Sequence, residues 1–138
     1  MAASLPVVIA SNQGVFSVSE DAKGSSGGCV QFKVNSAATT NATSAKTVAT
    51  RLYGYCLQNN AATWAYLKFY NLNVAPTVGS STVVSIVGIP PGGTVSYSSS
   101  VGVYMSLGVA YSIVLNPIDT DANPLAAANT VTGTIYTA

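Results

Sequence analysis

The chain has 138 residues, enough for one domain with a real core. Charged residues make up only 7% of it, against roughly a quarter in ordinary soluble proteins, while hydrophobic residues reach 49%. A net charge of +1 without a basic block argues against nucleic-acid binding, and no apolar run approaches the roughly 20 residues a membrane helix needs.

So few charges give a free monomer weak colloidal protection. Either partners cover much of the surface, or its many hydroxyl groups keep the chain soluble.

Taken in order, residues 1–20 hold two short β-like runs, 5–10 and 15–18, split by Ser11, Asn12, Gln13 and Gly14. Pro6 argues against a central strand. The segment reads as an extended arm, lying either on a neighbouring subunit or on the edge of its own domain, with Pro6 and Val8 as candidate contacts. No Lys or Arg precedes the apolar stretch of MAASLPVVIASNQ, so it does not read as a signal peptide. EDAKGSSGG, residues 20–28, is a flexible polar connection. The expected division is therefore an arm and connection over 1–28 and a β-domain over 29–138.

Residues 29–34 form a short strand with Val30, Phe32 and Val34 on one face. Residues 35–45 contain only Asn, Ser, Ala and Thr and read as a long loop or a weak strand. The organising stretch is RLYGYCLQNNAATWAYLKFYNL, residues 51–72, which reads as a hairpin of two strands around a polar loop at 58–62. In its second strand Ala65, Leu67 and Phe69 point one way, and Trp64, Tyr66, Lys68 and Tyr70 the other. In its first, Leu52 and Cys56 oppose Arg51, Tyr53 and Tyr55. If the aliphatic faces turn to the core, the opposite face gathers Tyr53, Tyr55, Trp64, Tyr66, Lys68 and Tyr70, the composition of a binding surface. The same face also suits the interior of a sandwich, because Tyr fits either environment.

Next come a turn region at 73–81 and TVVSIVGI, residues 82–89, a β-branched run that reads as a buried strand. Pro90, Pro91, Gly92 and Gly93 suit a type II turn, with Pro91 presetting φ and Gly92 free to take positive φ. Strands follow at 94–98, at 101–107 (Val101, Val103, Met105 and Leu107 on one face) and, after Gly108, at 109–115 (Val109, Tyr111, Ile113 and Leu115 together). Residues 116–129 are a loop with Pro117 and Pro124. In 130–137, Thr130, Thr132, Thr134 and Tyr136 share one face and Val131 and Ile135 the other. No segment has helical periodicity. About eight short strands separated by Gly and Pro turns predict an all-β, antiparallel sandwich of jelly-roll or Ig-like type.

Catalytic chemistry finds little footing. There is no His, which removes the commonest general base and metal ligand. The carboxylates are Glu20, Asp21, Asp119 and Asp121; the first pair sits beside a flexible Gly/Ser stretch, and no motif supports a glycosidase-like pair. Asp119, Asp121 and Asn123 start a calcium-loop pattern, but Pro124 stands where Gly is required and Thr130 where the Glu should be, so a turn with local side-chain caps is the better reading. Gly27-Gly28 and Gly92-Gly93 lack the Lys-Ser/Thr ending of a phosphate loop. The two cysteines, Cys29 and Cys56, either pair or are buried free thiols, the second being the commoner case without a secretory context. The triplet Asn41, Ala42, Thr43 matches a glycosylation acceptor, but means little without a signal peptide. No cofactor, no metal and no enzymatic activity are expected.

Two stretches carry a resemblance. LPVVIASNQ, residues 5–13, resembles a segment of the form LPVVLASDQ near the start of structural proteins of tailed phages. LYGYCLQNNAATWAYLKFYNLNVAPTVGSSTVVSIVGIPPGG, residues 52–93, resembles a β-sandwich module of phage and prophage virion proteins, through AYLKFYN, APTVG and PGG. GVAYS at 108–112, Asp119 and Asp121, and 126–129 continue that pattern. Departures fall at Ser81, Thr82 and Val83, which lack the usual Pro, and at Asn116, Pro117 and Ile118, which replace small residues; both affect loop shape more than fold. The resemblance implies a structural virion component with no catalytic residues. The small, single-domain chain suggests a capsid cement or decoration protein on the capsid surface, oligomeric within the particle, its partners the major capsid protein and neighbouring copies of itself. The alternative is a tail, baseplate or fibre component with a carbohydrate- or host-binding sandwich, its aromatics joined by Asn59, Asn60 and Asn71.

Overall fold

A computed structural model describes residues 29–138; the arm and connection expected over 1–28, with Pro6 and Val8, lie outside the described residues. Eight strands follow one another: β1 (Val30–Asn35), β2 (Thr43–Lys46), β3 (Thr50–Asn59), β4 (Ala65–Asn71), β5 (Ser85–Ile89), β6 (Thr94–Met105), β7 (Val109–Val114) and β8 (Val131–Thr137). They form two four-stranded antiparallel sheets, ordered β1-β8-β3-β6 and β2-β7-β4-β5. No helix occurs among the described residues.

The pairing is nested. β1 pairs with β8, β2 with β7, β3 with β6 and β4 with β5, as in one long hairpin folded at the β4–β5 connection. Rolling that ribbon adds the pairs β3–β8 and β4–β7 and closes two sheets over one core. This nesting is the jelly-roll arrangement, and it decides against the Ig-like alternative.

Alternation explains the core. Ala65, Leu67 and Phe69 of β4 meet Val109, Tyr111 and Ile113 of β7 on one inner face, and Val34, Leu57, Val131 and Ile135 on the other. Ring contacts cross between the sheets: Tyr55 meets Phe69 at 5.8 Å, and Phe32 meets Tyr111 edge-on at 5.9 Å. Each fully buried Leu, Ile or Phe side chain contributes about 1.5–3 kcal/mol. β8 lies between β1 and β3 so closely that a Cβ at Gly133, where φ is +145°, would stand 2.1 Å from the Cys56 carbonyl oxygen. The Pro90–Gly93 turn is as expected: Gly92 has φ +62° and the Gly93 N–H donates to the Pro90 carbonyl at 3.0 Å.

Several expectations need correction. β3 and β4 are not a hairpin, since they belong to opposite sheets and their connection turns a corner between layers. Against β8, a one-residue bulge between Leu52 and Gly54 reverses the phase of β3, so Leu52 and Leu57 face the core while Cys56 is exposed. Cys29 is also exposed, and both thiols are free rather than buried. The run at 82–89 yields an edge strand in which Ile89 alone is buried, because β5 has a neighbour on one side only. The strands expected at 94–98 and 101–107 are one, β6, with Met105 alone buried; Val101, Val103 and Leu107 are exposed.

The polar segment at 35–45 has Ala45 packed against the core and is otherwise held by hydrogen bonds. Asn41, at φ +54°, accepts from the Ala37 N–H at 2.7 Å and donates to the Ala37 and Thr39 carbonyls. The Thr39 and Thr40 carbonyls then accept from Leu125 and Ile113. The loop is thereby tied to β7 and to the long 115–130 connection.

Candidate functional site

The predicted binding face is divided between interior and surface. Tyr53 is buried. Tyr55, past the bulge, turns inward onto Phe69 and also meets Tyr97 at 5.8 Å. Burial, with Tyr97 beside it, pushes its phenol above the usual tyrosine value.

Tyr70 and Lys68 lie on the outer face of their sheet but are wholly buried. The Tyr70 hydroxyl shares a 2.9 Å hydrogen bond with Ser112, and burial raises its pKa despite that bond. Lys68 Nζ donates to the carbonyls of Ile118 at 2.6 Å, Asp119 at 3.2 Å and Asp121 at 3.0 Å. The 115–125 connection therefore roofs this face with its own backbone. Asp121 shapes the roof: its carboxylate accepts from the Asn116 backbone and side chain, both at 3.1 Å, and from the Asn123 side chain. Burial works to raise its pKa, but these donors outweigh it and hold the carboxyl below its ordinary value. The residues of the calcium-like pattern are thus used as local caps.

Of the six aromatic-face candidates within 29–138, Trp64 and Tyr66 keep a surface role. Trp64 is 49% exposed and stacks on half-buried Tyr66, ring centroids 6.1 Å apart and 18° from parallel. Gly88 of β5 lies under the stack, and a Cβ there would come within 3.3 Å of Trp64. Trp64 also borders a mostly apolar groove of about 410 Å³, with Ala61, Leu115, Leu125 and Ala127.

Three connections meet at this end of the sandwich. Fully buried Asn59 organises them: its side chain accepts from Ala61 N–H and donates to the Thr63 and Ile89 carbonyls, while its backbone N–H donates to the Gly93 carbonyl. The Asn60 side chain donates to the Asn129 carbonyl. Asn71 bonds Ser106 and the Leu107 N–H at the opposite end. The asparagines expected to help hold a sugar are engaged in the fold instead.

A second surface escaped the sequence reading. Tyr97, Val101, Val103 and Tyr104 of β6 are all exposed, with the Arg51 guanidinium 5.8 Å from the centre of the Tyr104 ring. The available signal was a long strand with neither charge nor proline. Among the described residues, no three His, Cys, Asp or Glu side chains are grouped to hold a metal ion. Compared with models of protein families, with curated proteins and with solved structures, the chain matches none.

Proposed function

We propose that the chain is a non-enzymatic structural component of a virus particle, a capsid cement or decoration protein that binds the assembled shell. The observation that carries this reading is the surface. Among the described residues, Lys33, Lys46, Arg51 and Asp119 are the ionic side chains that reach it, because Lys68 and Asp121 are buried. Exposed Val48, Val74 and Leu107 sit on the turns at one end, and Trp64 marks the other. Such a surface suits a chain whose working state is covered by neighbours. The resemblance of residues 5–13 and 52–93 to phage virion proteins adds the virion itself.

The mechanism is mass action. A protein that binds the assembled lattice and not its free subunits shifts the equilibrium toward the lattice. Contact with several major capsid subunits at once adds avidity. The test is copy number in purified particles of the source virus. A count on the scale of the major capsid protein is expected; absence from particles would overturn the reading.

The stacked Trp64–Tyr66 pair beside an open groove favours a second reading, a tail or fibre component that binds a carbohydrate. A few copies per particle together with a positive glycan array would select it.

A further inference from the structure

We propose that the outer face of the β1-β8-β3-β6 sheet binds an extended acidic polysaccharide, laid along β8. Strand register builds this face. β1 contributes Gln31, Lys33 and Asn35, and β8 sets Tyr136, Thr134 and Thr132 directly opposite them. On the other flank of β8 stand Gly54, Cys56 and Gln58 of β3, in the same three rows. Val34, Leu57, Val131 and Ile135 of these strands are buried in the core, so alternation turns the rows outward.

The opposite sheet shows what a covered outer face is like: there Lys68 is capped by three loop carbonyls. Here Gln31, Lys33, Asn35 and Gln58 are exposed. Among the described residues, neither their side chains nor those of Thr132 and Thr134 make a hydrogen bond. Thr132, Thr134 and Tyr136 are half-buried between taller neighbours, and β1 and β8 together line a trough of about 600 Å³. From Thr132 to Tyr136 the floor runs roughly 13 Å, at about 3.3 Å per residue.

Chemistry selects the occupant. A protein partner needs aliphatic or aromatic anchors that lose their water, and this trough offers amides and hydroxyls instead. A single lysine does not neutralise the phosphates of a nucleic acid. A sugar polymer carries donors and acceptors along an extended chain, which unpaired amides and hydroxyls answer in kind. The half-buried Tyr136 ring, beside Gly54 with no side chain of its own, adds an apolar surface for sugar C–H groups. Lys33 stands in the middle row with no acidic residue on the face, so it favours a sugar that bears a carboxylate. This site lies on the side of the sandwich, apart from the Trp64 groove at its end. It does not rest on the virion reading, since the isolated chain reports it.

The experiment is calorimetric titration of the full chain with alginate, a polymer of uronic acids, and with neutral dextran. Alginate is expected to bind, and dextran about tenfold more weakly or less. Lys33→Gln should lower alginate affinity by about tenfold, the worth of one charge-assisted hydrogen bond at an open site. Thr134→Glu sets a like charge on the trough floor and should abolish alginate binding. Ser85→Glu sets the same charge on an exposed residue of the other sheet and should leave binding unchanged. Circular dichroism checks that the variants fold. If Thr134→Glu does not, alginate should still slow the reaction of Cys56 with a thiol reagent in a Cys29→Ser background, because Cys56 stands beside Thr134. No binding of alginate by the folded chain would overturn the proposal, and so would equal binding of the two polymers. Binding that survives Thr134→Glu but is lost in Trp64→Ala would put the sugar in the end groove and overturn it too.

Discussion

Lys68 shows how a charge becomes a structural part. Its ammonium replaces lost water with the Ile118, Asp119 and Asp121 carbonyls, and no buried side-chain polar atom among the described residues lacks a partner. Lys68→Met keeps the volume but strands those carbonyls under the roof. It should cost about 3 kcal/mol in urea unfolding; a loss well below 1 kcal/mol would mean that water replaces the ammonium there. The pH dependence follows from the same burial. Tyr55, Tyr70 and Tyr111 all hold their protons above the ordinary tyrosine range, chiefly through desolvation. The unfolded chain ionises these phenols near pH 10. Above that pH the folded state binds more protons than the unfolded one, so stability falls as pH rises through the raised values. Lys68 opposes this. Burial lowers its pKa, with Asp121 and Asp119 pulling back, so the unfolded chain keeps that proton longer and this group's contribution rises with pH. Three phenols against one amine give a melting temperature that holds to about pH 10 and then falls. The share of tyrosinate absorbance that belongs to Tyr55, Tyr70 and Tyr111 should appear only with unfolding; ionisation of all eight tyrosines in a protein still fully folded would contradict the raised values.

At the scale of the strand, period-two alternation reads well where a strand is central and regular. β4, β7 and β8 carry their apolar residues in the predicted phase, and Ala65, Leu67, Phe69, Val109, Ile113, Val131 and Ile135 are all fully or almost fully buried. Alternation fails at the bulge between Leu52 and Gly54, where β3 has one residue more than β8, and that extra residue inverts every side chain after it. A reading of spacing has no means of seeing that shift. Edges are equally silent: the β-branched residues of 82–89 and 101–107 have the composition of buried strands, but burial depends on how many neighbours a strand has. Lys68 was misplaced for a third reason: what covers its ammonium is loop backbone at Ile118, Asp119 and Asp121, and carbonyl groups leave no apolar signature. The β3 inversion is testable through Cys56. With Cys29 it is free and exposed, so both thiols should react with an aromatic disulfide reagent in the native protein at rates near that of a free thiol. A Cys56 that reacts only after unfolding would restore the uninverted phase.

For the whole molecule, the nested pairing sends the β1–β2, β3–β4, β5–β6 and β7–β8 connections to one end and the β2–β3, β4–β5 and β6–β7 turns to the other. Asn59, Asn60 and Asn129 lace the first end together, and Trp64 is left standing on it. A half-exposed indole held flat on Tyr66 is preorganised, so it loses little freedom on meeting a partner. Under the proposed role it is an anchor on the shell. Trp64→Ala should therefore cost the isolated protein no more than about 1.5 kcal/mol, the worth of an aromatic pair. Affinity for purified shells should fall roughly thirtyfold, the loss at a hot spot of about 2 kcal/mol. Thermal melting of the free protein and co-sedimentation with shells separate the two quantities. Unchanged shell binding by a folded variant would move the contact away from this end, toward Val48, Val74 and Leu107. Collapse of the fold would make the indole part of the core, a result its exposure argues against.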